Sequence, residues 1–273
     1  MNISIIIVSW NVRDLLKKCL ESVLLYSQGV DYEIIVVDNA STDGTVEMMR
    51  QDFPQVRLIA NQENKGFAAA NNQGIKEAKG EYILLLNPDT EFIENSLEKI
   101  VAKMQSDEKI GVLGCKLLNP DKSIQPSVRR FPTVWSQLVI LFKLHKIFPF
   151  LLDSYSMKDF YTTPYPLLKE EGTLVDQVMG AFFCVKKELF AKIGLLDEGY
   201  FIWFEEVDFC RRAKQAGYKV VYWPVTSVVH HGGQSFAQQM TLKKQLWFFK
   251  SALRYFRKNG KVQNPNVKSR LND

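Results

Sequence analysis

Carboxylates follow two apolar stretches of the chain, a placement that suits nucleotide and metal chemistry. Asp38 follows residues 32–37, and Asp89 follows residues 82–86 at the end of an Asn-Pro-Asp sequence. Such a carboxylate can accept a hydrogen bond from a nucleobase, or bind a hard divalent cation that bridges diphosphate oxygens. Taken alone, each segment is more simply explained as turn or helix-capping chemistry. A functional site is therefore indicated only if Asp38 and Asp89 lie together at one edge of the fold.

Three further acids lie within four residues at the start of a predicted helix: Glu205, Glu206 and Asp208. Adjacent carboxyls beside aromatic residues can raise the pKa of one of them and so provide a general base. The same acids would also favour the helix macrodipole, and Asp208 could pair with Arg211 or Arg212. The segment supports the two interpretations about equally.

Two of the three histidines are adjacent. His230 and His231 end the apolar run 225–229 and precede two glycines. At a junction of strand and loop, an imidazole can bind a metal or a phosphate. The alternative is a histidine pair with a structural role only.

Alternating strand and helix patterns surround these residues. Strands are predicted at residues 3–9, 32–37, 56–60, 82–86, 110–116, 175–186 and 218–223. Helices are predicted at residues 12–24, 67–78, 93–104, 188–193 and 205–216. This alternation predicts an α/β fold with a doubly wound, mostly parallel central sheet. Ligands of such sheets bind beyond the carboxyl ends of the strands, where Asp38 and Asp89 are expected.

The alternation weakens after about residue 118. Residues 119–170 contain six prolines and a basic, aromatic stretch. We expect an insertion that covers the sheet edge, or alternatively one that faces a lipid-diphosphate acceptor. The predicted organisation is one large domain at 1–235, followed by a C-terminal segment at 236–273.

Positive charge is concentrated in that C-terminal segment. The 273-residue chain has a net charge of +5, yet residues 236–273 contain nine Lys or Arg and one Asp. Its apolar residues recur at intervals of four and three: Leu242, Leu246, Phe249, Leu253 and Phe256. The pattern predicts a basic amphipathic helix, which fits an anionic membrane surface. Packing of the same stripe on the large domain is the alternative, and the two are compatible.

Several classes of protein are disfavoured. The chain has no GxGxxG after its first strand, no GxxxxGK[ST] and no GxSxG, which argues against dinucleotide-binding dehydrogenases, P-loop enzymes and α/β-hydrolases. No nucleic-acid-binding motif accompanies the charge, so nucleic acid is not an expected partner. Four scattered cysteines indicate a reducing compartment. With neither a leader nor an 18-residue apolar run recognised, we expect a cytoplasmic protein, peripheral on the inner face of the cell membrane.

Taken in order, the segments resemble those of the family-2 inverting glycosyltransferases with the glycosyltransferase A-type fold, in particular the bacterial rhamnosyltransferase-like branch. The resemblance covers roughly residues 3–235. It is carried by SIIIVSWN at 4–11, VVDNASTDGT at 36–45, NKGFAAANNQGI at 64–75, LLLNPDT at 84–90, the acidic segment at 199–210 and HHGG at 230–233. Each motif is modest alone, and their shared order makes the match specific.

The resemblance implies a site for a nucleotide-sugar donor. Asp38 would bind the nucleobase, and the segment from Asn64 to Asn72 would shape the loop and helix start near the donor. The substrate-binding residues implied in this way are Asp38, Asn39, Ser41, Asn64, Gly66, Asn72 and Asn87.

The resemblance also implies a divalent metal, Mg²⁺ or Mn²⁺. Asp89 would be the acidic member of the metal motif, in which Asn87 replaces the first acid. That departure leaves Asp89 as the only anionic ligand there. The metal would then depend on the donor diphosphate and on a histidine, with His230 the better placed of the pair.

Glu206 aligns with the general base of the family, with Asp208 as an orienting group and Glu205 as the alternative base. The implied reaction is an inverting hexosyl transfer, with L-rhamnose from dTDP-rhamnose as the favoured donor. The acceptor would be a lipid-linked glycan or a polysaccharide of the cell envelope. A non-catalytic nucleotide-sugar-binding module at the membrane is the second hypothesis. The sequence does not indicate an oligomeric state.

Overall fold

The computed structural model describes residues 1–157, 160–161, 171–232 and 241–260. Its strands are β1 (Ile3–Ser9), β2 (Tyr32–Asp38), β3 (Arg57–Ala60), β4 (Tyr82–Leu86), β5 (Thr90–Phe92), β6 (Ile110–Leu118), β7 (Ile124–Gln125), β8 (Val128–Arg129), β9 (Thr173–Leu174), β10 (Gln177–Val178), β11 (Phe182–Lys186) and β12 (Lys219–His230). Its helices are α1 (Arg13–Tyr26), α2 (Thr45–Asp52), α3 (Phe67–Glu77), α4 (Ser96–Gln105), α5 (Val134–Leu141), α6 (Asp153–Ser156), α7 (Lys187–Ile193), α8 (Glu205–Gln215) and α9 (Thr241–Asn259). Gly233, the predicted boundary after residue 235, residues 158–159 and 162–170 of the predicted insertion, and the tail 261–273 lie outside the described residues.

The central sheet has the strand order β3-β2-β1-β4-β11-β6-β12-β5, with β7 beside β6 and β9 beside β12. Strands β1 to β4 are parallel to one another, and β12 is parallel to β6. Strand β11 runs antiparallel between β4 and β6. The predicted fold class is confirmed. The direction of β11 was not predicted, because a continuous apolar run fits a buried strand of either direction.

The central strands are apolar throughout because helices cover both faces of the sheet. All seven residues of β1 and all five of β4 are buried. Leu16 and Leu20 of α1 pack on one face of the sheet. Ala68 of α3 and Phe209 of α8 pack in the second core, on Ile6 and its neighbours. The polar residues that follow these strands are thereby fixed at one edge of a rigid layer.

Strand β12 is longer than the pattern predicted, since the predicted strand 218–223 and the apolar run 225–229 form one element. Pro224 lies where the register against β6 shifts, between Trp223 and Ser227. Proline has no N–H to donate, so the ladder is interrupted there without ending the strand. The last residues of β12 then pair antiparallel with β5, and His230 lies opposite Thr90.

The helix α9 packs on the large domain through a face that the sequence stripe does not include. Ser251, Ala252 and Tyr255 are buried, whereas Leu242, Leu246, Phe249 and Leu253 are exposed. The alternative in which the predicted stripe packs on the domain is therefore wrong for four of its five residues. Among the described residues, no helix is both long enough and apolar enough to span a bilayer.

Candidate active site

A cavity of about 280 Å³ opens at the carboxyl ends of β1, β2 and β4. Predicted site residues supply much of its wall: Asn39, Asn64, Gly66, Asn87, Asp89, Glu205, Glu206 and His230. The remainder comes from Val8, Trp10, Phe67, Pro88, Arg129, Met179, Gly180, Ala181, Phe201, Ile202, Trp203 and Trp247. Segments that are distant in sequence thus converge on one space.

A larger and more open depression, of about 760 Å³, includes Glu81, which precedes β4, and Lys186, which ends β11. It therefore lies at the opposite edge of the sheet. None of the predicted site residues lines it. Of the two cavities, only the smaller one brings acidic, amide and imidazole groups together, and we therefore take it as the functional site.

The acidic pair forms one wall of the cavity. One carboxylate oxygen of Glu205 and one of Glu206 are buried without a hydrogen-bond partner among the described residues. Burial raises the pKa of both groups, and the neighbouring Glu206 carboxyl raises the pKa of Glu205 further. At Glu206 the Arg129 guanidinium opposes the shift. The pKa of Glu205 is therefore raised by two causes, whereas at Glu206 a nearby cation favours the ionised form.

The loop before this pair is held in an unusual backbone conformation. Trp203 and Phe204 both have left-handed φ values, 62° and 74°. Such conformations in non-glycine residues cost of order 1–3 kcal/mol each and persist only when packing enforces them. Here Phe204 packs against Phe248 and Tyr255 of α9. The C-terminal helix thus holds the acidic pair at the cavity.

Pairing of β5 with β12 brings Asp89 and His230 together. His230 Nε2 lies 3.3 Å from Asp89 Oδ1, and both side chains are buried. The Asn87 amide nitrogen lies 3.4 Å from the same ring nitrogen. Two residues 141 positions apart in the sequence thus form one polar corner of the cavity.

Gln125 sets the orientation of the His230 ring. Its Nε2 donates to two acceptors, Asn119 Oδ1 and the His230 carbonyl, so its Oε1 is the atom that faces the ring. His230 Nδ1 lies 2.6 Å from that Oε1 and must therefore carry a hydrogen. The other ring nitrogen, Nε2, is left facing Asp89. A second partner that fixes the tautomer in this way is typical of metal-binding histidines.

The polar corner suits a metal that also binds the substrate. A carboxylate oxygen and an imidazole nitrogen face each other there, and each can donate a lone pair to a cation. His231 points elsewhere, since its Nε2 lies 2.8 Å from Glu91 Oε1. No group of three or more His, Cys, Asp or Glu side chains that could hold a metal occurs in the described part of the chain. Asp89 and His230 would therefore fill only part of a coordination shell.

Amide side chains shape the wall beside β2. Asn39 Nδ2 donates to Asn64 Oδ1, and the same oxygen accepts from the Gly66 N–H. Gly66 has a φ of 84°, and a Cβ there would lie 2.6 Å from the carbonyl oxygen of Phe201. The Phe67 N–H donates to that carbonyl. Glycine is thus required where the start of α3 approaches the loop that precedes the acidic pair.

Asp38 lies next to the cavity wall but does not line it. Its Oδ2 accepts from the Ser41 N–H, whereas its Oδ1 is buried without a hydrogen-bond partner among the described residues. Burial raises the pKa of this carboxyl, and hydrogen bonds with Ser41 oppose the shift. Ser41 Oγ in turn accepts from the Asn11 N–H and so ties this loop to the end of β1.

Besides Asp38 and Ser41, two further predicted site residues do not line the cavity. Asn72 binds the backbone of Leu196 through both its amide atoms, which joins α3 to the loop before α8. Asp208 is fully buried, and its Oδ2 binds Arg212 and Lys258. Its position one turn along α8 turns the carboxylate toward α9, so the geometry does not support the predicted role of orienting the base.

Three residues of the site were missed as site residues by sequence reasoning. Arg129 and Trp247 were noted only as parts of a basic, aromatic stretch and of an amphipathic helix, yet both line the cavity. Gln125 had no motif, because its role depends on the pairing of β7 with β6 beside β12. Only the tertiary structure brings these residues to the acidic pair and to His230.

Comparisons with known proteins find a matching family model and related enzymes. The family model described as glycosyl transferase family 2 matches residues 4–158. The chain is 29% identical over 276 residues to the rhamnosyltransferase WbbL of Escherichia coli, covering 96% of this chain and 95% of that protein. It is also 29% identical over 215 residues to the N-acetylglucosaminyl-diphospho-decaprenol L-rhamnosyltransferase of Mycobacterium tuberculosis, covering 74% of this chain and 67% of the relative.

Solved structures show the same fold at low sequence identity. The mannosyltransferase PcManGT from Pyrobaculum calidifontis, in complex with GDP-Man and Mn²⁺, matches with a TM-score of 0.60 and 18% identity, over 93% of this chain and 64% of that one. GalNAc-T7 with UDP, GalNAc and Mn²⁺ matches with a TM-score of 0.61 and 21% identity, over 84% of this chain. The chain spans less than half, 44%, of GalNAc-T7.

Proposed function

The chain belongs to glycosyl transferase family 2, and on this premise we propose that it transfers L-rhamnose from dTDP-L-rhamnose to a carbohydrate acceptor. The acceptor is a lipid-linked glycan or a polysaccharide of the cell envelope. One observation carries the proposal: an acidic pair and a polar Asp89–His230 corner face the same cavity at the ligand-binding edge of the sheet. The choice of sugar rests on the two rhamnosyltransferases that the chain resembles.

Glu206 is the general base of the proposed reaction. Inversion needs one base on the acceptor side, with the leaving group held on the opposite side of the sugar. Glu206 lines the cavity, and Arg129 favours its ionised form, so its carboxylate can accept the proton of the attacking hydroxyl. Burial and the Glu206 carboxyl raise the pKa of Glu205 beside it, which favours the neutral form of Glu205.

The donor diphosphate lies at the polar corner in this proposal. Asp89 and His230 would hold a divalent cation, Mg²⁺ or Mn²⁺, that also binds the diphosphate. When bound, that cation stabilises the negative charge that develops on the leaving nucleoside diphosphate. Gln125 keeps Nε2 of His230 directed at Asp89, and Asn87 offers a neutral amide beside it.

The nucleobase binds next to β2. Asp38 Oδ1 is buried without a hydrogen-bond partner among the described residues, and a thymine or uracil N3–H would provide one. Asp38 is only 1% exposed, so the loop after β2 would have to shift for the base to reach it. Asn39 and Asn64 then line the path from the base toward the diphosphate.

A donor panel tests the proposal. The purified full chain is incubated with Mn²⁺ or Mg²⁺ and dTDP-rhamnose, UDP-glucose, UDP-N-acetylglucosamine or GDP-mannose, with a membrane-lipid extract as the source of acceptor. We expect release of nucleoside diphosphate with dTDP-rhamnose, and loss of that release on chelation of the metal. Release with a different donor would replace the sugar but keep the reaction class. Donor binding without release across the panel would favour a non-catalytic nucleotide-sugar-binding module.

A further inference from the structure

The helix α9 has a second apolar face that the large domain does not cover. Leu242, Leu246, Phe249 and Leu253 are 75%, 51%, 50% and 38% exposed. Their intervals of four, three and four residues place them on one stripe of the helix. The face that packs on the domain, which includes Tyr255, lies on another side. Such a stripe of large apolar side chains indicates a surface with a partner.

Basic residues flank this stripe on one side. Lys243, Lys250 and Arg257 recur every seven residues and are all exposed. A seven-residue interval keeps them in one row along the helix. Two other basic residues of α9 are used internally, since Arg254 and Lys258 form ion pairs with Asp197. The outward row is therefore distinct from the cations that attach the helix to the domain.

A second apolar and basic segment adjoins α9. The helix α5 contacts α9, and it exposes Val134, Trp135 and Leu138. The turns that follow expose further apolar side chains: Phe142, Ile147, Phe148 and Phe150. Lys143 and Lys146 are exposed among them. Neither residues 129–152 nor residues 241–260 contain any Asp or Glu.

We propose that the exposed faces of α5, its following turns and α9 form one surface that binds an anionic lipid bilayer, with both helices lying along the membrane plane. We call it the docking surface. Apolar side chains with a row of Lys and Arg beside them match the two layers of a membrane interface, acyl chains and anionic head groups. The charge of the surface is complementary to such a membrane, because neither segment carries an acid.

Charge argues against a second copy of the chain as the occupant. Pairing of two docking surfaces would bring basic segments together with no acid from either side, and like charges across an interface are unfavourable. An anionic bilayer supplies the missing counter-charge at every position. The surface is therefore better matched to lipid than to itself.

The docking surface adjoins the cavity. Trp247 of α9 lines the cavity and stacks on Phe201 with ring centroids 4.6 Å apart, and Arg129 lines it five residues before α5. Binding of the surface to a membrane would hold the cavity near the head-group layer. This last consequence rests on the proposed function, since it explains how a lipid-linked acceptor reaches Glu206. The binding itself does not depend on any transfer activity.

Vesicle sedimentation tests the inference without sugar donor or acceptor. The full chain is mixed with vesicles of phosphatidylcholine and phosphatidylglycerol at 7:3, and with vesicles of phosphatidylcholine alone. We expect binding to the anionic vesicles that weakens as salt rises, and much weaker binding to the neutral ones. The double variant Lys250→Gln/Arg257→Gln should bind about 25-fold more weakly, because each basic residue near an anionic surface contributes about a fivefold factor.

The contribution of the exposed apolar stripe of α9 is tested by the triple variant Leu246→Ser/Phe249→Ser/Leu253→Ser, which should lose vesicle binding. The matched controls lie elsewhere on the surface: Leu25→Ser/Leu174→Ser for apolar exposure, and Lys18→Gln/Arg50→Gln for charge. Both controls should bind as the unaltered chain does, and all variants should keep its thermal unfolding temperature.

The inference is wrong if the unaltered chain does not bind anionic vesicles at low salt. It is also wrong if the control variants lose binding as much as the docking-surface variants do. Self-association that the triple variant abolishes, in a chain that does not bind vesicles, would assign the surface to a second copy. Nucleoside diphosphate release in the donor panel is measured separately, so failure of membrane binding leaves the proposed transfer reaction standing.

Discussion

Replacement of Glu206 by glutamine distinguishes the two members of the acidic pair. Glutamine keeps the shape of the side chain but cannot accept a proton. Loss of a general base typically slows the chemical step by about 10²- to 10⁴-fold, which corresponds to about 3–5 kcal/mol of activation free energy. The expected result for Glu206→Gln is a fall of this size in the rate of transfer, with donor binding unchanged.

Glu205→Gln is the matched control for this variant. The pKa of Glu205 is raised well above its usual value by burial and by the Glu206 carboxyl, which favours the protonated form of Glu205. A glutamine amide resembles that neutral form, and we expect a change in rate of less than about tenfold, below the range of a lost general base.

The assay is a single-turnover measurement of nucleoside diphosphate release, with donor affinity measured in parallel by calorimetry. Single turnover isolates the chemical step from product release. A large loss in Glu205→Gln with near-normal turnover in Glu206→Gln would exchange their roles. Equal, small effects in both would remove the acidic pair from the chemistry.

Three further variants test the surrounding structure. Arg129→Gln removes the cation that opposes the raised pKa of Glu206. Because the base works when ionised, the acidic limb of the profile of transfer rate against pH should move to higher pH. An unmoved limb would contradict this electrostatic coupling. Gln125→Leu removes the acceptor for His230 Nδ1–H. Mn²⁺ binding, measured by electron paramagnetic resonance, should weaken by about 10- to 100-fold, which is typical when a hydrogen-bond partner of a metal ligand is lost. Unchanged Mn²⁺ affinity would remove His230 from the metal site. Asp208→Asn removes the buried carboxylate that pairs with Arg212 and, alongside Asp197, with Lys258. It should lower the free energy of unfolding in urea by about 3 kcal/mol with donor binding unchanged. Lost transfer at unchanged stability would restore its predicted orienting role.

The sequence was most informative where residue periodicity and burial coincide. Strands β1 and β4 have the predicted bounds, because an apolar run buried on both faces leaves little room for another structure. The neighbourhood of Asp89 was predictable for the same reason, since it follows β4 directly. Long-range contacts were not predictable in this way. The approach of His230 to Asp89 depends on the pairing of β12 with β5 past Pro224, which no local pattern encodes.

The C-terminal helix illustrates a second limit. Its periodicity correctly predicted a helix, but the helix has two apolar faces, and the sequence pattern identified the exposed one. The packed face combines Ser251 and Ala252, small residues that allow close approach, with the aromatic Tyr255. Such a face does not stand out in a helical pattern of large aliphatic residues. The same limit explains why Trp247 was not predicted at the cavity.

The position of a bound donor tests the central claim most directly, namely that the cavity at the ends of β1, β2 and β4 is the transfer site. The measurement is a crystal structure of the full chain with dTDP and Mn²⁺. We predict an anomalous Mn²⁺ peak bound by Asp89 and His230, with the diphosphate beside it and the base near Asp38. Binding of the nucleotide at the opposite edge of the sheet, around Glu81 and Lys186, or a metal bound without Asp89, would contradict the account.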